Sequence, residues 1–150
     1  MLPETKIILC HMGLALAEDT GACARDDVFQ EWRTNLIELA RRPNVYCKIG
    51  RLGTSYWGFG FEDRIDSIGY LELADVWRPY VEVAIAAFGP DCCMMASNYP
   101  NDGRSCGFVP LWNALKHIVR DYSNDEKAGL FHKTATAVYR IDLPGHPIIR

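Results

Sequence analysis

The chain has 150 residues, 49% of them apolar and 23% charged, with a formal net charge of −3. That size supports one hydrophobic core rather than two. The mild acidity excludes a strongly basic nucleic-acid or membrane-surface binder, and no apolar run approaches the roughly 18 residues a bilayer-spanning helix needs.

Met1-Leu2-Pro3-Glu4-Thr5 sets no basic segment ahead of an apolar one, so no secretion leader is expected. The first element is the apolar run Lys6-Ile7-Ile8-Leu9-Cys10, which fits a short strand buried on both faces, as in a parallel sheet. It ends in His11-Met12-Gly13 and runs into a loop from Leu14 to Arg25. Asp26 or Asp27 can then cap a helix whose residues Phe29, Trp32, Leu36 and Leu39 share one face. Arg41 and Arg42 suit its C-terminal dipole, and Pro43 stops it. A second strand covers Asn44-Val45-Tyr46-Cys47-Lys48-Ile49.

The segment from Gly50 to Asp75 is rich in glycine and aromatics, among them Tyr56, Trp57, Phe59 and Phe61. A connection this long is expected to be functional or to carry small helices. The second helix is expected from Trp77, with Pro79 tolerated in its first turn and Val81, Ala84, Ile85 and Phe88 as its apolar stripe. Gly89-Pro90 stops it. The third strand is Cys92-Cys93-Met94-Met95-Ala96-Ser97, followed by the turn-forming Asn98-Tyr99-Pro100-Asn101-Asp102-Gly103. A third helix starts near Val109-Pro110, with Trp112, Leu115, Val119 and Tyr122 on one side. Ser123-x-x-Glu126 is a capping box that opens a fourth, with Leu130, Thr134, Ala137 and Val138 on its apolar face. The tail from Asp142 carries Pro144, Gly145 and Pro147 and is expected to be irregular. Alternating buried strands and helices mean parallel βα units, hence an α/β fold.

The six cysteines include four inside strand-like runs and no C-x-x-C pair. Together with the missing leader, this favours reduced, mostly buried thiols and a cytoplasmic location over a disulfide framework.

In parallel α/β folds the chemistry gathers at the C-terminal strand ends. That rule selects His11, the Lys48–Gly53 segment and the Asn98–Asp102 loop. His11 suits a metal ligand, a general base or an oxyanion donor, since imidazole titrates near neutrality and has two distinct nitrogens. Its bland reading is a histidine tying a loop to the sheet. Lys48 is polar inside an apolar strand and can serve an anionic substrate group, or sit in an ion pair or snorkel out of the core. Asn98 and Asp102 can orient or activate water, or they can simply shape a turn. Arg104 can bind an anion or be an ordinary surface arginine. His117, His132 and His146 read as structural or solvent-facing. No G-x-G-x-x-G, P-loop, G-x-S-x-G or H-x-H occurs.

At these strand ends the sequence resembles the amidohydrolase-related (amidohydrolase 2) family of metal-dependent TIM-barrel hydrolases. Four pieces carry the likeness in order: Lys6–Gly13, Pro43–Gly50, Phe88–Asp91 leading into Met94–Asp102, and Leu130–Ala135 closing with Val138-Tyr139-Arg140-Ile141. The resemblance covers residues 3–143 and implies the C-terminal part of a (β/α)8 barrel: about three parallel βα units plus a C-terminal helix, as one domain over 1–143 with an irregular tail at 144–150. It implies that His11 is a metal ligand or activates the attacking water. Asn98 stands where many members carry an aspartate, and a branch with Ser-Asn-x-Pro-x-Asp matches Asn98 together with Asp102. Lys48 and Arg104 would bind the substrate. Cys92 stands where an arginine is common, and Gly50-Arg51 where Ser-Gly is usual.

A full barrel has eight strands and about 250 residues, and the family's H-x-H belongs to a first strand that this chain does not include. The expectation is therefore the C-terminal part of a hydrolase for a lactone, ester or amide bond of a small carboxylated substrate. A divalent metal such as zinc would belong to the full-length enzyme, and this part would be inactive without the remaining strands. Three strands of a barrel also leave open sheet edges, so a non-catalytic half-barrel acting through self-association is the second expectation. A small doubly wound nucleotide-binding module is the third. A small-molecule substrate is expected as partner, with neither nucleic acid nor membrane.

Overall fold

A computed structural model of the chain describes residues 4–17 and 22–141. The irregular tail expected from 142 onward, and with it the end of the 1–143 domain, lies outside them. Three strands, β1 (Ile7–Leu9), β2 (Val45–Ile49) and β3 (Cys93–Met95), form one parallel sheet in the order β1-β2-β3. Leu9 stands opposite Cys47, Cys47 opposite Cys93, and Ile49 opposite Met95. Helix α1 (Ala22–Ala40) makes the first crossover and α2 (Tyr70–Phe88) the second. After β3 come α3 (Phe108–Ile118), α4 (Asn124–Ala128), a π-turn over Gly129–Lys133, and α5 (Thr134–Tyr139).

The strand alternation decides which side chains meet the helices. Val45, Cys47 and Ile49 are buried, whereas Tyr46 and Lys48 between them are half-buried. The Cys93 thiol donates to the Ala84 carbonyl of α2 at 3.7 Å, which identifies the first face as the one covered by helices. Helix α2 packs between α1 and α3. The core draws Trp32 and Leu36 from α1, Leu73, Trp77, Val81 and Ile85 from α2, and Leu111, Leu115 and Ile118 from α3. Each such side chain contributes about 1.5–3 kcal/mol by leaving water.

Several expected boundaries move. Helix α1 starts at Ala22, ahead of the two aspartates expected to cap it. Helix α2 starts at Tyr70 rather than Trp77, with Gly69 as its N-cap, so Pro79 lies inside the helix instead of in its first turn. Burial of Leu73, Ala74, Trp77, Tyr80 and Val81 outweighs the backbone bond that Pro79 cannot make. β3 is shorter than the expected Cys92–Ser97 at both ends: Pro90–Cys92 form a separate short turn before it, and Ala96 and Ser97 lie beyond its last residue, Met95. The capping box at Ser123 is present, with the Ser123 hydroxyl accepting from the Glu126 amide and the Glu126 carboxylate accepting from the Ser123 amide. The expected single fourth helix is interrupted by the π-turn, whose Gly129 packs against Asp91, while the Thr134 hydroxyl donates to the Asp91 carbonyl at 3.2 Å.

The long connection after β2 carries two short 3-10 turns, Ser55–Trp57 and Phe61–Asp63. Trp57 is fully buried, stacked on Phe59 and edge-on to Trp32 and Tyr80. This aromatic cluster fastens the connection to α1 and α2. The described cysteines are free thiols: Cys47, Cys93 and Cys106 buried, Cys92 half-buried and Cys10 exposed. The Cys23 side chain lies outside the described set. No helix among the described residues is long and apolar enough to cross a membrane.

Candidate active site

The three strands run parallel, so their C-terminal ends bring His11, Arg51 and Asn98 to the same edge of the sheet. His11 follows β1 inside the tight turn Cys10–Gly13, in a left-handed conformation at φ 57°. The turn is held from α1, where the Trp32 indole donates to the Met12 carbonyl at 2.7 Å. The imidazole is half-buried, and its Nδ1 is buried without a hydrogen-bond partner among the described residues. Burial lowers the His11 pKa below its ordinary value, and the positive charges of Arg51 and Lys48 lower it further. The ring is therefore neutral at neutral pH and able to accept a proton.

Lys48 lies on the half-buried face of β2 and forms no ion pair among the described residues. Arg51 follows β2 at φ 63°, with its guanidinium 4.7 Å from the Tyr56 ring centroid. Gly50 before it has no room for a side chain, because a Cβ there would lie 2.6 Å from the Ala96 carbonyl oxygen.

Asn98 follows β3 at φ 52°, a conformation asparagine tolerates. Its amide nitrogen donates to Asp102 Oδ1 at 2.7 Å. Asp102 Oδ2 accepts from the Gly53 amide at 3.3 Å, and the Asp102 carbonyl accepts from the Ser105 and Cys106 amides, each at 3.1 Å. Asp102 is 1% exposed, so it buckles the β2 loop to the β3 loop and holds Asn98, rather than presenting a free carboxylate. Burial raises its pKa, opposed by the hydrogen bonds from Asn98 and Gly53 and by the charge of Arg51.

Not every residue selected from the sequence joins this group. Arg104 is exposed, and its charge is not among those that shift His11 or Asp102. His117 on α3 pairs at 2.7 Å with Arg120 just past the helix, and His132 is exposed. His146 lies outside the described residues. Conversely, Arg51 and Gly53 belong to the cluster without having been marked individually. The one available signal was an arginine directly after the strand-ending glycine. A groove of about 320 Å³ between the β1 turn and α1 is lined by Leu9, Met12, Leu14, Trp32 and Leu36, and none of the strand-end polar groups lines it.

Among the described residues no three histidine, cysteine, aspartate or glutamate side chains gather to hold a metal ion. His11 is a single imidazole whose Nδ1 is buried, Asp102 has both oxygens engaged, and the neighbouring cations Lys48 and Arg51 repel a metal cation. These side chains alone do not fit a metal centre.

Parallel βα units with polar side chains collected at their C-terminal ends are common to β/α-barrels and doubly wound sheets. The chain belongs to the amidohydrolase family, whose model matches residues 1–141. It is 39% identical over 139 residues to the uncharacterized protein y4mH of Sinorhizobium fredii, spanning 93% of this chain and 40% of that protein. It is 29% identical over 146 residues to an L-fucono-1,5-lactonase of Burkholderia multivorans, spanning 92% of this chain and 44% of that enzyme. In three dimensions it superposes on a zinc-bound amidohydrolase from Burkholderia multivorans with a TM-score of 0.76 at 22% identity, covering 92% of this chain and 45% of that one. The likeness assigns the three βα units to a partial TIM barrel, not to the doubly wound module that alternation alone also allowed. The chain spans less than half the length of these relatives.

Proposed function

We propose that this chain forms the C-terminal part of a barrel hydrolase that opens a lactone, ester or amide bond in a small carboxylated substrate. The observation that carries the reading is the neutral His11 imidazole, with an unpartnered Nδ1, beside Lys48 and Arg51 at the strand ends. In this reading His11 takes a proton from water as the water oxygen bonds to the acyl carbon, and returns it to the leaving oxygen or nitrogen as the acyl bond breaks. Asn98, fixed by Asp102, orients that water through its amide oxygen. Lys48 holds the substrate carboxylate, and Arg104 at the loop surface is at most an outer contact. A metal ion, if the complete barrel holds one, supplies Lewis acidity and takes its remaining ligands from outside the described residues, with His11 as one ligand at most.

The lactonase among the relatives supports a lactone as the first substrate to try. The test is hydrolysis of a panel of sugar 1,4- and 1,5-lactones, followed by proton release. It is run on the chain and on a fusion supplying the unspanned N-terminal part from the Sinorhizobium fredii relative. Expected is hydrolysis by the fusion, little by the chain alone, and a loss of at least about 100-fold on His11→Ala. A fusion inert on the whole panel, or an unchanged rate in the variant, overturns the proposal.

A second reading, self-association without catalysis, is favoured by the edge strand β1, where Ile7 is 49% exposed. Sedimentation of the purified chain tests it: a discrete dimer supports this reading and a monomer removes it.

A further inference from the structure

We infer that Arg51 is a substrate-binding residue of this site and that the group it takes is a carboxylate. The inference rests on the strand-end reading above and names the residue that would select the substrate.

Backbone geometry comes first. Each of the three strands is followed within three residues by a non-glycine residue at positive φ: His11 at 57°, Arg51 at 63° and Asn98 at 52°. The remaining such residues are Met12 and Leu14 around the same turn as His11, and Arg140 at the C-cap of α5. Glycine occupies this conformation at no steric cost, so a long side chain kept there marks a position where the side chain is used. Two of the three strand-end positions carry residues already placed in the site. Arg51 is the third.

The side chain is also held ready. The Arg51 carbonyl accepts from the Thr54 hydroxyl at 3.0 Å and from the Trp57 indole at 2.9 Å, which ties its backbone to the buried aromatic cluster. Its guanidinium lies over Tyr56, which restricts the fork without consuming its hydrogen bonds. Nε is buried and has no hydrogen-bond partner among the described residues. Asp102 is the carboxylate that feels the Arg51 charge, but its two oxygens are bonded to Asn98 and Gly53. A buried donor on a restricted cation, with Lys48 nearby also unpaired, lacks the acceptor that an external anion would supply. The planar fork matches a carboxylate through two parallel N–H···O bonds.

The test uses malonate as the probe, titrated into the 15N-labelled chain and followed at the arginine Nε–H resonances. The native chain is expected to bind it saturably. Arg51→Gly should weaken binding at least tenfold without lowering the melting midpoint, because glycine suits the left-handed backbone. Arg51→Lys, which keeps charge but loses the fork, should recover only part of the affinity, and Arg41→Gln, at an exposed arginine just past α1 that pairs with Glu38, should leave it unchanged. If Lys48→Met weakens binding while Arg51→Gly and Arg51→Lys bind as tightly as the native chain, the assignment of Arg51 falls and the strand-end reading stands. If the native chain does not bind, or neither Lys48 nor Arg51 matters, both fall. Unchanged affinity with a lower melting midpoint in Arg51→Gly assigns Arg51 a structural role and also overturns the inference.

Discussion

The Asn98 amide nitrogen lies 2.7 Å from Asp102 Oδ1, and through the same carboxylate Asn98 is joined to the Gly53 amide in the neighbouring loop. One buried acid thus sets the position of a residue on the open edge of the site. Asp102→Ala leaves the Asn98 amide and the Gly53 N–H without this acceptor and is expected to cost about 2–4 kcal/mol of stability. Urea unfolding measures it, and a loss within error of zero would remove Asp102 as the buckle.

The same acid has a pH signature. Burial raises its folded-state pKa above the unfolded value of about 3.9, so the folded chain keeps this proton to higher pH than the unfolded chain. Its contribution is most favourable below the unfolded value and declines as pH rises through the folded one. Asp102→Asn should abolish that decline, so its stability relative to the native chain rises as pH increases above about 4, the unfolded value.

His11 titrates in the opposite sense. Burial first, then Arg51 and Lys48, lower its folded-state pKa, so the stability tied to the neutral ring is present above about 6.5 and lost as pH falls through the folded value. NMR titration of the imidazole should show an apparent pKa below 6.5. Arg51→Gly and Lys48→Met should each raise it, and neither should bring it fully to the ordinary value, since burial persists. An unmoved pKa in both variants would separate these charges from the ring.

Gly50→Ala brings a Cβ within 2.6 Å of the Ala96 carbonyl oxygen, where backbone has to yield. A loss of about 1–3 kcal/mol is expected, with the ends of β2 and β3 forced apart. Thermal melting tests the cost. Amide shifts confined to residues 49–53 and 95–98 test its location.

Trp32→Phe removes the bond from the indole to the Met12 carbonyl while keeping a ring in the core. About 1–2 kcal/mol should be lost, and amide exchange in the Cys10–Gly13 turn should accelerate more than in β2. Uniform acceleration would mean that the indole stabilises the core without specifically holding the His11 turn.

Much of this arrangement was legible in the chain itself. The apolar runs before His11 and Asn98 mark strand ends directly; β3 is buried throughout, whereas β1, expected to be buried on both faces, is an edge strand with Ile7 exposed. The Ser123–Glu126 box reads correctly because capping depends on local spacing alone. The start of α2 was hidden by Pro79, which reads as a first-turn proline until the burial of Leu73 and Ala74 extends the helix around it. The role of Asp102 was hidden for a different reason. An aspartate before glycine looks like a turn residue or an exposed base, and only the approach of Gly53, 49 residues away in sequence, makes it a buried acceptor. Arg51 was hidden because a left-handed backbone at a non-glycine residue leaves no mark in composition.

The thiols that line the core carry a practical consequence. Cys47 and Cys93 face each other in register on adjacent strands, and the partner thiol together with burial pushes Cys93 far above the ordinary thiol range. Burial holds Cys106 at about 12. Cys10 alone is exposed among the described cysteines. An alkylating reagent should therefore mark Cys10 at once and reach the Cys47–Cys93 pair only when α2 lifts from the sheet. The native thiols then time the lifting of α2 from the sheet by mass spectrometry with no foreign label, and can report whether a bound anion slows it.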